Sequence, residues 1–285
     1  MKNIDIPVVL GPGSQPPDSD GAEMSFMAMP SGMNTYMAPV VPEPEEIEGL
    51  EAGVERARQI LKALSGYTAG NSATILSLDD LDSTNREFIN QLLGEGEVSV
   101  QCSGDLAALI QESVLAGVWR VQYLDAQQQV VRDSIEIASV PSLVSELTFN
   151  GAAERIDVTA LEIPETVYNA PPLLSEIDDQ LAKGDNAERP YIINLSLLPH
   201  TEEDLMFLSD SLGIGPVIVL SRGYGNCRIS STRTRDVWWV QYFNSQETLI
   251  LNTLEISAVP EVACAAPEDI ADSARRLEEI LRIYD

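Results

Sequence analysis

Histidine is nearly absent: the 285 residues contain one, His200, beside Pro199 in a stretch that reads as a loop. Neither a Ser-His-Asp triad nor a histidine-rich metal site can be assembled from it. The three cysteines, Cys102, Cys227 and Cys264, are too few and too scattered for a disulfide framework, and none sits in a CxxC pair that would suggest zinc or a redox couple. They read as free thiols. No P-loop sequence occurs, and no GxGxxG follows a strand, which removes the common nucleotide cradles. Positive charge is scarce as well: 17 Lys and Arg stand against 45 Asp and Glu, for a net charge of −28 and a pI near 4.1. That balance disfavours nucleic acid and anionic lipid, whose phosphates must be neutralised on binding, and favours basic partners. In so acidic a chain no particular pair of carboxylates marks acid–base work. No apolar run approaches the roughly 18 residues of a spanning helix. The N-terminus lacks a basic region followed by an apolar core, so no secretory signal is read there. The expectation is a cytoplasmic protein that is not an enzyme, with no membrane insertion, no nucleic-acid partner, no cofactor and no metal site.

What the chain does have is a stretch that occurs twice. GVWRVQYLDAQQQVVRDSIEIASVP surrounds Trp119 and DVWWVQYFNSQETLILNTLEISAVP surrounds Trp238, with Trp, Val-Gln-Tyr, Glu-Ile and Val-Pro in register at an offset of 119. The same offset matches Phe88 with Phe207, Gly94 with Gly213, Gly96 with Gly215, and Leu76-Ser77-Leu78 with Leu195-Ser196-Leu197. Roughly a third of the aligned pairs are identical, which reads as an internal duplication. Each copy carries a helical stretch ended by a Gly-x-Gly stop, then β-rich runs and a hairpin around the tryptophan. The fold class is α+β: two tandem related units, each a helix plus a small antiparallel meander.

The organisation then reads in four parts. Residues 1–44, crowded with Pro, Gly, Ser and Met, form an extended arm. Residues 45–141 hold a helix from Glu45 to Ser65, with Ile47, Leu50, Val54, Ala57, Leu61 and Leu64 at helical spacing, and the first unit. Residues 142–172, extended around Ile156 to Leu161, read as a linker. Residues 173–285 hold the second unit with its own C-terminal helix.

Three features are candidates for binding a partner. Met24, Met27, Met29, Met33 and Met37 give the arm an adaptable apolar surface that can grip a partner or cover the apolar surface of its own domain, and thioethers also ligate soft metals. Arg222, Arg228, Arg233 and Arg235, with Tyr224 among them, place four of the 17 basic residues within 14 positions, whereas the matching stretch of the first copy has none. A loop that differs between two copies of one scaffold points to an acquired role, although four arginines could equally neutralise neighbouring carboxylates. Trp239 must point to the opposite face of its strand from Trp238, and its counterpart is Arg120.

The strings GPGSQP, FMAMPSGMNTY followed by PEPE, SRGYGNCRI, VWWVQYFNS and LNTLEISAVP together resemble the hydrogenase expression/formation proteins of the HupH or HyaF type. Those are accessory proteins encoded with membrane-bound nickel–iron hydrogenases. The resemblance spans nearly the whole chain, and it implies a maturation chaperone or scaffold acting on the iron–sulfur small subunit before export. Its implied partners are that subunit and other hydrogenase maturation proteins; it carries over no catalytic residues. The alternative from another class is a nickel delivery or insertion protein that uses the arm's thioethers and Cys227, and a third is an enzyme acting on a cluster or cofactor. A single histidine and the lack of paired cysteines argue against a dedicated nickel site.

Overall fold

Val54, Ala57, Ile60 and Leu64 recur every three or four residues and form the buried stripe of α1, Glu51–Gly66. That helix belongs to a computed structural model that describes residues 48–68, 70, 72–104, 106–184, 190–222 and 226–284. The arm expected over residues 1–44 and the start of the helix expected at Glu45 lie outside the described residues. After α1 the chain runs through β1 (Thr74–Ser77), α2 (Ser83–Leu93), β2 (Val98–Cys102), β3 (Ala107–Glu112), β4 (Val118–Leu124) and β5 (Val130–Ile137). Next come α3 (Ser142–Leu147) and α4 (Ala170–Leu181). The second copy follows as β6 (Tyr191–Asn194), α5 (Glu202–Leu212), β7 (Ile214–Ser221), β8 (Asn226–Thr232), β9 (Val237–Phe243) and β10 (Leu249–Ile256), and α6 (Pro267–Leu281) comes last.

Among the described residues all ten strands join one antiparallel sheet, in the order β1-β5-β4-β3-β2-β7-β8-β9-β10-β6. The two halves meet where β2 pairs with β7, and that junction obeys the offset of 119. Val100 lies opposite Val219, its own counterpart. Ser103 N–H bonds Pro216 O at 2.8 Å while the equivalent Arg222 N–H bonds Glu97 O at 3.1 Å. Equivalent strands paired antiparallel in this way are related by a pseudo-two-fold axis normal to the sheet. The same faces of both halves therefore point the same way.

One face carries a core shared by both halves. Val100, Ile110, Trp119 and Val121 pack in one cluster with Val219, Ile229, Trp238 and Val240, under α3 and the 3₁₀ turn Glu261–Ala263. Trp119 and Trp238 are fully buried, and each indole N–H bonds a carbonyl past the end of the hairpin, of Ala138 at 2.9 Å and of Ser257 at 3.2 Å. Among the described residues the opposite face is covered only towards its two ends. Around β1, β5 and β4 it carries α1, α2 and α6; around β6, β10 and β9 it carries α4 and α5. Close approach explains the paired glycines after α2 and α5. A Cβ on Gly96 would lie 2.2 Å from Ser113 O, and one on Gly215 would lie 2.7 Å from Thr232 O and 2.3 Å from Ser231 Oγ.

Four expectations change. The segment 142–172 is more than a connector, because Leu143 and Val144 of α3 are buried in the shared core. The stretch around Ile156 to Leu161 is not extended but holds a 3₁₀ turn over Val158–Ala160. The C-terminal helix does not stay with the second copy: Ile270, Leu277 and Leu281 of α6 pack with α1 and α2 of the first. Finally, Leu76-Ser77-Leu78 is not the counterpart of Leu195-Ser196-Leu197, since Ile75 pairs with Glu136 and Ile192 with Glu255, which sets the offset of the edge strands at 117. The second copy inserts two residues before its helix, and Leu195–Leu197 forms a 3₁₀ turn there.

Glu112 provides a test of the shared core. It is 8% exposed, faces the tryptophan side of β3, and accepts the Gly117 N–H at 3.3 Å. Burial, helped by the charges of Glu97 and Asp269, pushes its carboxyl from 4.5 up to about 7. A carboxyl whose folded value is raised contributes stability below its unfolded value and loses it as pH rises through the folded one. Stability is therefore expected to fall between about pH 4.5 and pH 7, and Glu112→Gln is expected to flatten that fall. Urea midpoints of both proteins at the two ends of this range decide it; equal losses would remove Glu112 as the cause.

Candidate functional site

Among the described residues the middle of the sheet between the two helical layers is open, and there lies a groove of about 420 Å³. Its floor comes from the outward residues of the central strands, as the two-residue alternation requires: Ser99 and Gln101 of β2, Leu109 and Gln111 of β3, Ile218 and Leu220 of β7. Arg120 and Gln122 of β4 stand on one side and Arg228 of β8 on the other, with Glu95 at the end of α2. The groove straddles the pseudo-two-fold axis, yet most of its lining is from the first copy. The two halves of the sheet differ here: at the offset of 119, Ser99, Gln101 and Leu109 align with Ile218, Leu220 and Arg228.

The polar groups are held firmly. Gln111 Nε2 donates to the carbonyls of Gly96, Val98 and Glu112 at 3.0–3.1 Å. Arg120 makes a two-pronged contact with Asp133, at 3.0 Å and 2.6 Å. At the equivalent positions of the second copy Trp239 Nε1 donates to Asn252 Oδ1 at 2.6 Å. An ion pair facing the groove thus corresponds to an indole packed under α4 and α5. Arg228 is 7% exposed, and burial pulls its guanidinium below the usual value without discharging it. Leu109 is 46% exposed and Ile218 and Leu220 are half-buried, so the centre of the floor is apolar and open. Guanidinium and amide groups around an aliphatic floor suit recognition of a chain that bears both a carboxylate and apolar side chains.

The residues singled out by sequence are only partly brought together. Met24, Met27, Met29, Met33, Met37 and Tyr224 lie outside the described residues. Arg222 and Arg228 sit at one end of the β7–β8 hairpin, whereas Arg233 and Arg235 are exposed in the turn at the far end of β8. Arg233 Nε donates to Ile214 O, and Arg235 lies 3.9 Å from Glu154. The four arginines do not form one patch, because Arg228 lies within β8 and the rest of that extended strand, residues 229–232, separates it from Arg233. Trp239 does point away from Trp238, but it is 5% exposed in the core under α4 and α5 rather than on a free surface. Sequence reading missed Arg120 and the aliphatic floor. Their signal, period-two alternation in the central strands, becomes a site only once β2 and β7 are known to be neighbours.

Without a metal ion beside them the thiols stay protonated near neutral pH. Burial pushes Cys102 and Cys227 up to about 12 and Cys264 to about 11. Burial also lowers the His200 imidazole, which keeps it neutral. Among the described residues no three His, Cys, Asp or Glu side chains converge as a metal would require, and no helix is long and apolar enough to cross a membrane.

Residues 54–157 and 167–284 match the family described as HupH hydrogenase expression protein, C-terminal conserved region. The hydrogenase expression/formation protein HoxQ of Cupriavidus necator is 45% identical over 284 residues, covering 99% of this chain and 98% of its own. The hydrogenase-1 operon protein HyaF of Escherichia coli is 31% identical over 279 residues, covering 95% of this chain and 94% of its own. A solved hydrogenase expression protein HupH from Thiobacillus denitrificans, 34% identical, aligns with a TM-score of 0.37 over 41% of this chain and 96% of its own. Full-length similarity to HoxQ and HyaF, together with the family match across both halves of the sheet, leads to one conclusion: the chain is a member of the HupH hydrogenase expression protein family.

Proposed function

We propose that this protein is a non-enzymatic accessory factor in the maturation of a membrane-bound nickel–iron hydrogenase, binding the iron–sulfur small subunit in the cytoplasm before export. Family membership supports hydrogenase maturation as the process. The observation that carries binding rather than catalysis is the groove, whose fixed amides, paired guanidinium and open aliphatic floor are built for recognition. The small subunit is the client because a chain of net charge −28 attracts the basic leader that such subunits carry. The nickel-delivery reading draws no support from the described thiols, which burial keeps protonated.

Binding is expected to separate into two kinetic parts. Raised salt should slow association, since steering acts over roughly a Debye length of 8–10 Å. Replacing Met24, Met27, Met29 and Met33 with Ser should chiefly speed dissociation. Surface plasmon resonance resolves the two, and an unchanged off-rate would remove the arm from the contact. The proposal itself is tested by affinity purification from hydrogenase-expressing cells, with mass spectrometry and metal analysis of the eluate. Recovery of the small subunit without stoichiometric nickel is expected. Recovery of the large subunit alone, with nickel that tracks Cys227 or the arm methionines, would favour delivery instead.

A further inference from the structure

The sheet ends in two short edge strands, β1 and β6, at equivalent places in the repeat. Asn252 N–H of β10 points towards β6, where Ser196 Oγ accepts it at 2.8 Å. By alternation Leu254 and Ile256 also face β6, where they lie opposite Ile193 and Tyr191. Ile192 and Asn194 therefore turn their backbone N–H and C=O groups outward. On β1 the Leu78 N–H bonds inward to Asp133 O at 2.8 Å, so the matching Ile75 and Ser77 face outward.

The surroundings of the two edges differ. β1 leads into Asp79 and Asp80, and Asp80 pairs with Arg56 at 2.9 Å. β6, whose Ile192 is 58% exposed, leads instead into the 3₁₀ turn that leaves Leu197 80% and Leu198 40% exposed. By the edge-strand offset Leu197 stands where the first copy has Asp80. Among the described residues no strand pairs with this edge, and an exposed apolar edge is a hazard unless something does. One acid touches the strand, since Tyr191 hydroxyl donates to Glu176 of α4 at 2.5 Å, and α5, which follows the turn, opens with exposed Glu202 and Glu203. From Tyr168 to Gly215 the sequence holds nine acids against two bases. A second copy of this chain is a poor occupant, because it brings the same net charge of −28.

We propose that β6 is a strand-addition site for an extended apolar segment flanked by basic residues, supplied by a different protein. The backbone of Ile192 and Asn194 pairs with the incoming strand, Ile192, Leu197 and Leu198 cover its apolar side chains, and the carboxylates of α4 and α5 hold its basic flank. This site presupposes the protein-binding role proposed above and specifies where an extended part of the partner lies.

The test uses the full chain and a labelled synthetic peptide of two arginines followed by alternating valine and serine, read by fluorescence anisotropy. Wild type is expected to bind it, more weakly as salt rises, and to bind poorly a peptide with glutamates in place of the arginines. Ile192→Pro removes one outward donor and one exposed side chain without touching the residues that face β10, and it should weaken binding about tenfold. Ile75→Pro, at the equivalent place on β1, should leave binding unchanged. If Ile192→Pro does not fold, Leu197→Ser in the exposed turn takes its place, with a loss of several-fold expected. The proposal is overturned if wild type does not bind, if both proline variants lose affinity equally, if the folded β6 variant binds like wild type, or if the glutamate peptide binds as well. Co-purification of a hydrogenase subunit alongside a failed peptide experiment would discard this edge alone and leave the wider reading intact.

Discussion

Replacing Trp119 with Ala is expected to destabilise the whole molecule by about 4 kcal/mol, in a single transition rather than by melting one half. The side chain is fully buried and its indole N–H is bonded to Ala138 O, so the variant loses a large apolar contact and leaves a buried carbonyl without its donor. The cluster it occupies includes Trp238, Val219 and Ile229 of the other half, and β2 pairs with β7 along five residues. Loss of packing on one side of the pseudo-two-fold axis is therefore felt on the other. Against a typical total of 5–15 kcal/mol such a loss is severe. Urea unfolding followed by circular dichroism and by the fluorescence of the remaining tryptophans should give coincident curves. Two separated transitions would show that the halves are independent domains.

If the proposed client is the right one, changing Leu220 to Glu is expected to weaken binding of the hydrogenase small subunit by about tenfold or more, near 1.4 kcal/mol, while the melting temperature stays close to wild type. Leu220 is half-buried on the floor of the groove, so a carboxylate there remains hydrated in the free protein. Leu220 lies opposite Arg228 on β8, so the new carboxylate stands beside that guanidinium and repels a partner's carboxylate. Ile250→Glu serves as the control, since Ile250 is 61% exposed near the tip of the β9–β10 hairpin and does not line the groove. Isothermal titration calorimetry of both variants separates the two surfaces. Equal effects from Leu220 and Ile250 would mean that added charge, not the groove, sets affinity.

Local elements were legible because short-range physics decides them. The strand pair around each tryptophan closes over a turn in which Asp125 Oδ1 accepts the N–H groups of Gln127 and Gln129, and Asn244 Oδ1 does the same for Gln246 and Thr248. The helix α5 is likewise announced by Thr201 and Asp204, which cap one another's backbone. Asp204 goes further than a cap. It is fully buried and accepts the N–H groups of Tyr168, Asn169 and Ala170; burial raises its carboxyl, but these bonds together with that from the Thr201 N–H outweigh it and hold the group down at about 2. Nothing local in the sequence foretells that long-range staple.

The joining of β2 to β7 and the return of α6 to the first half depend on contacts between residues far apart in the chain, so periodicity alone does not reveal them. The groove inherits that difficulty. Leu109, Ile218 and Leu220 share one surface only after the junction forms. The identical Leu-Ser-Leu letters misled for the opposite reason: the match is local, whereas strand pairing with β5 and β10 places the equivalent edge two residues away. Trp239 followed the alternation rule correctly, but the rule says which face a side chain takes and not whether a helix covers it.

The central claim is that this protein serves the iron–sulfur small subunit and not the nickel site of the large one. The measurement that tests it most directly is the state of both subunits in cells lacking the protein, with nickel content read on the purified large subunit and cluster content and export read on the small. The account predicts a nickel-loaded large subunit beside a small subunit that is cluster-deficient or retained inside the cell. A large subunit without nickel, beside an intact and exported small subunit, would contradict it.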